Sequence, residues 1–138
     1  MKKILFLLLL AMFISGVVYS QKKHSSVKSS SKKKHSTPLI KYGTASFYAA
    51  KFNGRKTANG EIYSSTKYTA ACNILSFNTW IKVTNLRNKK SVIVRINDRM
   101  HPKNKRLIDL SGIAAKKISF SGRGLIRVKI EVLKNFHD

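Results

Sequence analysis

The chain has 138 residues, with 28 lysines and arginines against five acidic residues, and a formal net charge of +23. This length suits one ordinary domain and argues against two. The single cysteine excludes an intramolecular disulfide and no Cys/His spacing suits zinc, so we expect a domain held by core packing, with no metal or other cofactor.

The first twenty residues have the pattern of a secretory signal peptide. Lys2 and Lys3 precede an apolar run that ends in small residues, and the stretch 4–19 is shorter than the roughly 18 to 20 residues that cross a bilayer. We therefore predict a signal peptide at 1–20, cleaved after Ser20. Since no cysteine lies at that junction, we expect an exported protein, periplasmic or extracellular, and not a lipoprotein.

Residues 21–40 are rich in lysine and serine and contain no acid and no aromatic residue. Such a segment cannot bury enough apolar surface to offset its ordering entropy, so we predict a disordered basic linker. Two interpretations remain open for it. The linker either associates with an anionic envelope surface through its charge, or it is a solvated spacer.

The rest of the chain, residues 41–135, is predicted to form one mainly β domain. Apolar residues alternate with polar ones at 78–86, 91–98 and 124–133, as in half-buried strands, and shorter strands are predicted at 42–48 and 107–110. The turn at 87–90 joins the first two as a hairpin.

One short helix is predicted at 112–118. Ser111 is placed to be its N-cap, and Lys116 and Lys117 lie near its negative C-terminal end. Several short strands with one small helix predict a closed barrel, because closure removes edges that so small a chain cannot otherwise cover.

Several sequence blocks, in order along the chain, closely resemble the rare lipoprotein A (RlpA) family. They are GTASFY at 43–48, FNGRKTANGEIY at 52–63, TAAC at 69–72, VTN at 83–85, VRINDR at 94–99 and IDLS at 108–111. The resemblance implies a six-stranded double-psi β-barrel in a cell-wall-associated protein. It further implies an endolytic lytic transglycosylase that cleaves MurNAc–GlcNAc bonds of peptide-stripped peptidoglycan glycan strands and leaves 1,6-anhydroMurNAc ends.

This chemistry makes modest demands on a chain with five acids. The nucleophile is the C6 hydroxyl of the sugar itself, so one carboxyl group can protonate the leaving oxygen and then accept the hydroxyl proton. A glycosidase that uses water normally needs two carboxylates. The small number of acids therefore does not exclude the reaction.

Asp98 is the first candidate for this acid and base. It continues the parity of Val92, Val94 and Ile96, so we expect it to be partly shielded at the end of its strand. Glu61 is the second candidate. It lies on a predicted loop, where the resemblance assigns a functional acid. The alternative for Asp98 is a structural role, in which it caps a turn or pairs with an arginine. The alternative for Glu61 is a solvated loop carboxylate.

Cys72 occupies the position where the family has histidine after Thr-Ala-Ala. A thiol does not reproduce the donor and acceptor properties of imidazole. Cys72 is a candidate catalytic position only through this correspondence, and its alternative is a small buried core residue. Either Asp98 and Glu61 suffice for activity, or catalysis is weakened and glycan binding persists.

Candidate substrate-binding residues fall in or beside the matching blocks. Aromatic rings pack against the C–H faces of sugars, and guanidinium groups hold carboxylates in bidentate fashion, such as the lactyl group freed by removal of the stem peptide. The candidates are Tyr48, Arg55, Asn59, Tyr63, Arg99 and His101. His101 is alternatively an ordinary exposed loop histidine.

Two function classes follow. The leading one is the lytic transglycosylase, and the alternative is a non-catalytic, expansin-like module that binds glycan. We expect a monomer whose partner is the glycan strand. Charge alone also suits nucleic acid, but an exported chain does not meet it, so no nucleic-acid partner is expected.

Overall fold

The computed structural model describes residues 37–122, 124–134 and 136, so the predicted signal peptide and most of the predicted linker lie outside the described residues. The described part contains six strands, one α-helix and a short 3-10 helix. They are β1 (Ile40–Phe47), the 3-10 helix (Ala50–Phe52), β2 (Thr69–Ala71), β3 (Trp80–Asn85), β4 (Ser91–Asp98), β5 (Ile108–Leu110), α1 (Gly112–Lys117) and β6 (Ile126–Val132). Neither of these helices has the length and apolar character needed to cross a membrane.

The six strands close into a barrel in the order β1-β5-β2-β4-β3-β6. Two neighbouring pairs, β1 with β5 and β2 with β4, are parallel, and the other four are antiparallel. The predicted mainly β, closed six-stranded barrel with one short helix is confirmed. The predicted hairpin is also present, because β3 and β4 pair antiparallel across the turn after Asn85.

The barrel interior is filled by the inward residues of the alternating strands. Ile81 and Val83 on β3, Val94 on β4, and Val128 and Ile130 on β6 are all 0% exposed. Burying an aliphatic side chain of this size stabilises a fold by about 1.5–3 kcal/mol relative to leaving it in water. The alternation that predicts these strands is thus the pattern that builds the core.

Helix α1 begins after Ser111, as predicted, and ends one residue earlier than predicted. Ser111 has the extended backbone of an N-cap, but its hydroxyl makes no capping hydrogen bond. Within the described residues its buried Oγ has no hydrogen-bond partner. The position of the cap was therefore predictable, whereas its usual side-chain contact is not made.

Strand β4 contains an extra residue that changes which way Asp98 faces. Along the parallel pair, Ala70 lies opposite Ile96 but Ala71 lies opposite Asp98, so Asn97 is a bulge. Asp98 therefore does not continue the core-facing parity, although its expected partial shielding is confirmed. A bulge shifts the following residue to the other face, and Asp98 shares the face of Ala71 at the barrel rim, half-buried.

Candidate active site

The carboxylate of Asp98 is fixed by three hydrogen bonds at the end of β4. The hydroxyl of Tyr48 donates to Oδ2 at 2.6 Å, and the backbone amides of Ala58 and Arg99 donate to Oδ1 at 2.8 Å each. Because Oδ1 already accepts from two amides, Oδ2 is the oxygen available to gain and lose a proton. Asp98 as a residue is half-buried at the end of the strand.

Tyr48 follows β1 and is held by aromatic neighbours. Its ring centroid lies 4.5 Å from that of Tyr63 and 5.8 Å from that of Phe52. Burial and the hydrogen bond to Asp98 raise the pKa of Tyr48 far above its usual range. The phenol is therefore protonated at neutral pH and acts as a fixed hydrogen-bond donor to Asp98.

Glu61 makes a dense set of charge-assisted contacts. Arg95 Nη1 donates to Oε1 at 2.7 Å and Nη2 to Oε2 at 2.9 Å, a bidentate pair. Asn97 and Asn59 donate to the same carboxylate at 3.0 and 2.9 Å. The bonds from Arg95 and Asn97 lower the pKa of Glu61 from 4.5 to about 2. Glu61 is thus ionised at neutral pH and is unsuited to donate a proton there.

The loop at residues 56–62 carries Glu61 and also contacts Asp98. It closes through a bridge between Lys56 and Ile62 and through the amide of Thr57, which donates to the Glu61 carbonyl at 2.7 Å. Gly60 has φ +93°, a conformation that favours glycine, at the tip of the turn. By binding Arg95 and Asn97, Glu61 docks this loop on β4, and the docked loop presents the Ala58 amide to Asp98.

Arg99 turns away from the Asp98 carboxylate. Its Nη1 donates to the carbonyl of Cys72 at 2.6 Å, and its guanidinium lies 3.9 Å from the ring centroid of Phe77. The side chain of Cys72 is 0% exposed and belongs to the hydrophobic core. Arg99 therefore holds the segment after β4 against Cys72 and Phe77. The Cys72 thiol is a small core residue, as in the alternative interpretation, and a polysaccharide cannot reach it.

The remaining predicted substrate-binding residues differ in exposure. Tyr63 is only 4% exposed, so its ring supports Tyr48 from below and offers no face to a sugar. Arg55 is exposed and lies over the Phe52 ring at 5.3 Å, and His101 is exposed, its Nδ1 accepting from the Lys103 amide. Asn59 stays near the site through its bond to Glu61.

Two groups in the site were not predicted from the sequence. The amide of Ala58 is a backbone group, and Asn97 acts through a bulge that alternation does not reveal. Asp109 lies opposite Ala71 on β5, on the other side of β2 from Asp98. It pairs with a basic neighbour, since Arg106 donates two hydrogen bonds of 2.7 Å to its carboxylate.

Within the described ranges, no group of three or more His, Cys, Asp and Glu residues is placed to hold a metal ion. The chemistry that the site itself offers is proton transfer at Asp98 Oδ2, next to a phenol that donates a hydrogen bond to it. The closed six-stranded barrel, with two parallel and four antiparallel strand pairs, agrees with the class that the family resemblance implies, a double-psi β-barrel domain.

Comparison with known proteins agrees with this class. The model of the lytic transglycolase family matches residues 40–130. The chain is 47% identical over 120 residues to the endolytic peptidoglycan transglycosylase RlpA of Haemophilus influenzae, covering 87% of this chain and 39% of that protein. It is 42% identical over 124 residues to RlpA of Neisseria meningitidis serogroup A, covering 84% of this chain and 52% of the relative.

Among solved structures, the apo expansin of Clavibacter michiganensis superposes with a TM-score of 0.59 at 17% identity, over 72% of this chain and 53% of the expansin. That likeness concerns the fold alone. The chain belongs to the lytic transglycolase family of double-psi β-barrel domains, and the resemblance to RlpA is confirmed. The chain spans about half the length, or less, of the two RlpA relatives.

Proposed function

We propose that this chain is an endolytic lytic transglycosylase that cleaves MurNAc–GlcNAc bonds in peptide-stripped glycan strands of peptidoglycan. The activity for which its RlpA relatives are named supports the substrate class. The observation that carries the mechanism is the single carboxylate, Asp98, held at the rim with Oδ2 beside the phenol of Tyr48. Such a group supplies all the proton transfer that the reaction needs.

The reaction moves two protons, one from Asp98 and one to it, so Asp98 ends in the protonation state in which it began. Protonated Asp98 gives its proton from Oδ2 to the oxygen of the departing GlcNAc, and the bond between that oxygen and C1 of MurNAc breaks. The C6 oxygen of the same MurNAc attacks C1 and closes the 1,6-anhydro ring, and its proton passes to the Asp98 carboxylate. Water takes no part, so no second carboxylate is required as base or nucleophile.

The neighbours of Asp98 keep this oxygen in place through both protonation states. A hydroxyl can donate to a carboxylate and accept from a carboxylic acid, so Tyr48 remains a partner throughout. The amides of Ala58 and Arg99 hold Oδ1. Glu61 acts as a positioning residue, because it stays charged and docks the loop that carries the Ala58 amide.

The glycan-binding module without catalysis is the second candidate. The replacement of the family histidine by Cys72 is the observation in its favour. Against it, Asp98 and Glu61 each keep a complete set of hydrogen-bond partners that does not include the Cys72 side chain. The expansin likeness shows a shared fold and so does not favour binding over catalysis.

For the regions before the barrel we propose export and charge-based retention. The lysine pair and apolar run at 1–20 support removal as a signal peptide, and the basic residues of 21–40 support association with anionic envelope surfaces. We expect the exported protein to be a monomer beginning at Gln21. Intact-mass measurement and light scattering of the secreted protein test both, and a retained Met1 or a stable dimer would contradict them.

The decisive experiment digests peptide-free glycan strands and looks for 1,6-anhydromuramyl ends by mass spectrometry. The wild-type chain should produce them, and Asp98→Asn should lower the rate by at least about a hundredfold while the fold is kept. Glu131→Gln is the matched control, since it changes a carboxylate to an amide on β6, where Glu131 pairs with Lys129. Binding to sacculi without anhydro ends from the wild type would establish the binding module instead.

A further inference from the structure

A long open groove leads away from Glu61 across the outside of the barrel. It consists of two neighbouring clefts, of about 620 and 510 Å³, that share the side chains of Trp80, Arg95 and Phe136. Each volume lies within the roughly 300–1,000 Å³ typical of small-molecule sites. Because the clefts share a wall and both are open to solvent, the shape suits several units of a chain better than one enclosed molecule.

The strand register explains why this groove begins at the candidate active site. Trp80 on β3 lies opposite Arg95 on β4, and Arg95 lies opposite Thr69 on β2. The groove therefore crosses three adjacent strands. Glu61, whose carboxylate binds Arg95, lines the first cleft. The groove and the 56–62 loop therefore meet at this ion pair.

The lining combines aromatic rings with positive charge. The rings of Trp80 and Phe136 touch with centroids 5.0 Å apart, and Phe136 and Tyr68 are 38% and 40% exposed. The cationic side chains of Arg95 and Lys134 line the first cleft, and those of Arg95 and Lys67 line the second. Among the described residues that line these two clefts, Glu61 is the one acidic residue, so their side chains are together net positive.

We propose that this groove, the Trp80 groove, binds sugar units of an anionic glycan strand beyond the two units whose bond is broken. The inference rests on the proposed function and specifies its substrate as a longer, peptide-free muramyl glycan. Partly exposed rings offer apolar faces to pyranose C–H groups. The Lys67 ammonium group attracts the lactyl carboxylates that are exposed when stem peptides have been removed.

The charge of the groove selects this occupant over a neutral polysaccharide. A neutral chain of GlcNAc units offers the same C–H faces but no carboxylate for Lys67. The groove should therefore bind peptide-free muramyl glycan more tightly than a neutral chain of equal length. It should also favour long fragments over short ones, since a short fragment can occupy the reaction centre alone.

The test is isothermal titration calorimetry of the full chain carrying Asp98→Asn, so that the ligand survives. Peptide-free muramyl disaccharide and hexasaccharide are titrated in turn. We expect Trp80→Ala in this background to weaken hexasaccharide binding about five- to tenfold and to leave the disaccharide unchanged. Equal affinities of both proteins for the hexasaccharide would overturn the proposal.

Further variants separate loss of the groove from loss of the fold. Trp80→Phe keeps a ring and should retain most of the affinity, and Phe136→Ala removes a ring after the last strand and should weaken the hexasaccharide. Tyr42→Ala is the matched control, because Tyr42 is a 62% exposed ring on β1 outside the groove. If Tyr42→Ala weakens binding as much as Trp80→Ala does, the Trp80 groove is not the site.

The charge component is tested with Lys67→Gln and two hexasaccharides, one muramyl and one of neutral GlcNAc units. The variant should lose affinity for the muramyl chain severalfold and keep its affinity for the neutral one. Equal losses on both ligands, or none, would remove carboxylate recognition from the proposal.

Failure of the groove and failure of catalysis give different results. If the wild type forms no anhydro ends but binding still increases with length through Trp80, the proposed reaction is wrong and the groove stands. If anhydro ends form at equal rates in wild type and Trp80→Ala, and affinities do not differ, the reaction stands and the groove is wrong.

Discussion

The contact between the Tyr48 hydroxyl and Asp98 Oδ2 is the most informative pair of atoms in the molecule. At 2.6 Å it is a short, charge-assisted hydrogen bond, and it lies beside the oxygen that must carry the proton. The aromatic neighbours of Tyr48 fix its ring independently of this bond. Removing the hydroxyl should therefore change the chemistry of the carboxylate more than the local packing.

We predict that Tyr48→Phe lowers kcat for anhydro-product formation by about ten- to hundredfold, the value of one hydrogen bond to a charged group. KM should change little, because the ring stays in place. Steady-state kinetics on peptide-free strands measures both.

The control for this variant is Tyr42→Phe, which removes a hydroxyl from an exposed ring elsewhere on β1. It should behave as the wild type. A Tyr48→Phe enzyme with unchanged kcat would show that the phenol does not position Asp98.

Glu61 makes a pH-dependent contribution to stability. Its pKa falls from 4.5 to about 2 on folding, so the carboxylate stabilises the fold above about pH 4.5, and this stability is lost as the pH falls through 2. The side chain is 38% exposed, so solvent screening limits the contribution to about 1 kcal/mol at most.

We predict that the difference in unfolding free energy between wild type and Glu61→Gln is constant from about pH 5 to 7 and narrows between about pH 4.5 and 2. Urea denaturation at several pH values measures it. A difference that stays the same down to pH 2 would mean that Arg95 and Asn97 do not stabilise the charged form of Glu61.

At the scale of elements, the close approach of β1 to the start of β5 constrains one glycine. A Cβ on Gly43 would lie 2.6 Å from the Cβ of Leu107. We predict that Gly43→Ala lowers the unfolding free energy by about 1–3 kcal/mol through overpacking. Chemical denaturation measures this loss.

Gly112 provides the matched substitution. A Cβ there would lie 3.4 Å from Ser65, an ordinary contact, at the first residue of α1. Gly112→Ala should be neutral or slightly stabilising, because alanine is the better helix former. If both substitutions cost the same, steric contact with Leu107 is not the reason for Gly43.

Alternation along single strands predicted most of the elements. Strands β3, β4 and β6 have apolar residues at every second position because one face of each lines the core, and this is visible in sequence. Strand β2 was missed because its residues, Thr69–Ala71, are buried throughout and too few to alternate. The closing pairs β1–β5 and β2–β4 join distant segments, which the family resemblance supplied and no local pattern does.

The same limit applies to the candidate site. The positions of Asp98 and Glu61 came from motif blocks and from the scarcity of acids. The burial of Tyr63 and the turning of Arg99 towards Cys72 depend on how loops pack, and residue type alone does not reveal this. The hydrogen bond from the 56–62 loop to Asp98 comes from the backbone amide of Ala58, a group that every residue but proline has.

At the scale of the whole molecule, charge is distributed over both the barrel and the segment before it. The chain carries a formal charge of +23, and residues 21–40 contribute lysines without any acid. Interactions of exposed charges are screened within about 8–10 Å at physiological ionic strength. Any association with an anionic surface should therefore depend strongly on salt.

We predict that deleting residues 21–36 weakens binding of the chain to vesicles containing phosphatidylglycerol at low ionic strength. The difference should vanish near 1 M salt, where screening acts over about 3 Å. Co-sedimentation with vesicles measures it, and neutral phosphatidylcholine vesicles are the control. Equal binding with and without the segment would identify it as a spacer.

Because of the bulge at Asn97, the number of residues in β4 matters more for the orientation of Asp98 than the identity of its aliphatic side chains. From Val92 onward, each added or removed residue would turn Asp98 to the opposite side of the sheet, away from Tyr48. Exchanges among aliphatic side chains at Val92 and Val94 should preserve the aim of the carboxylate. Natural variation in this strand should accordingly consist of substitutions, with insertions and deletions confined to the turns on either side.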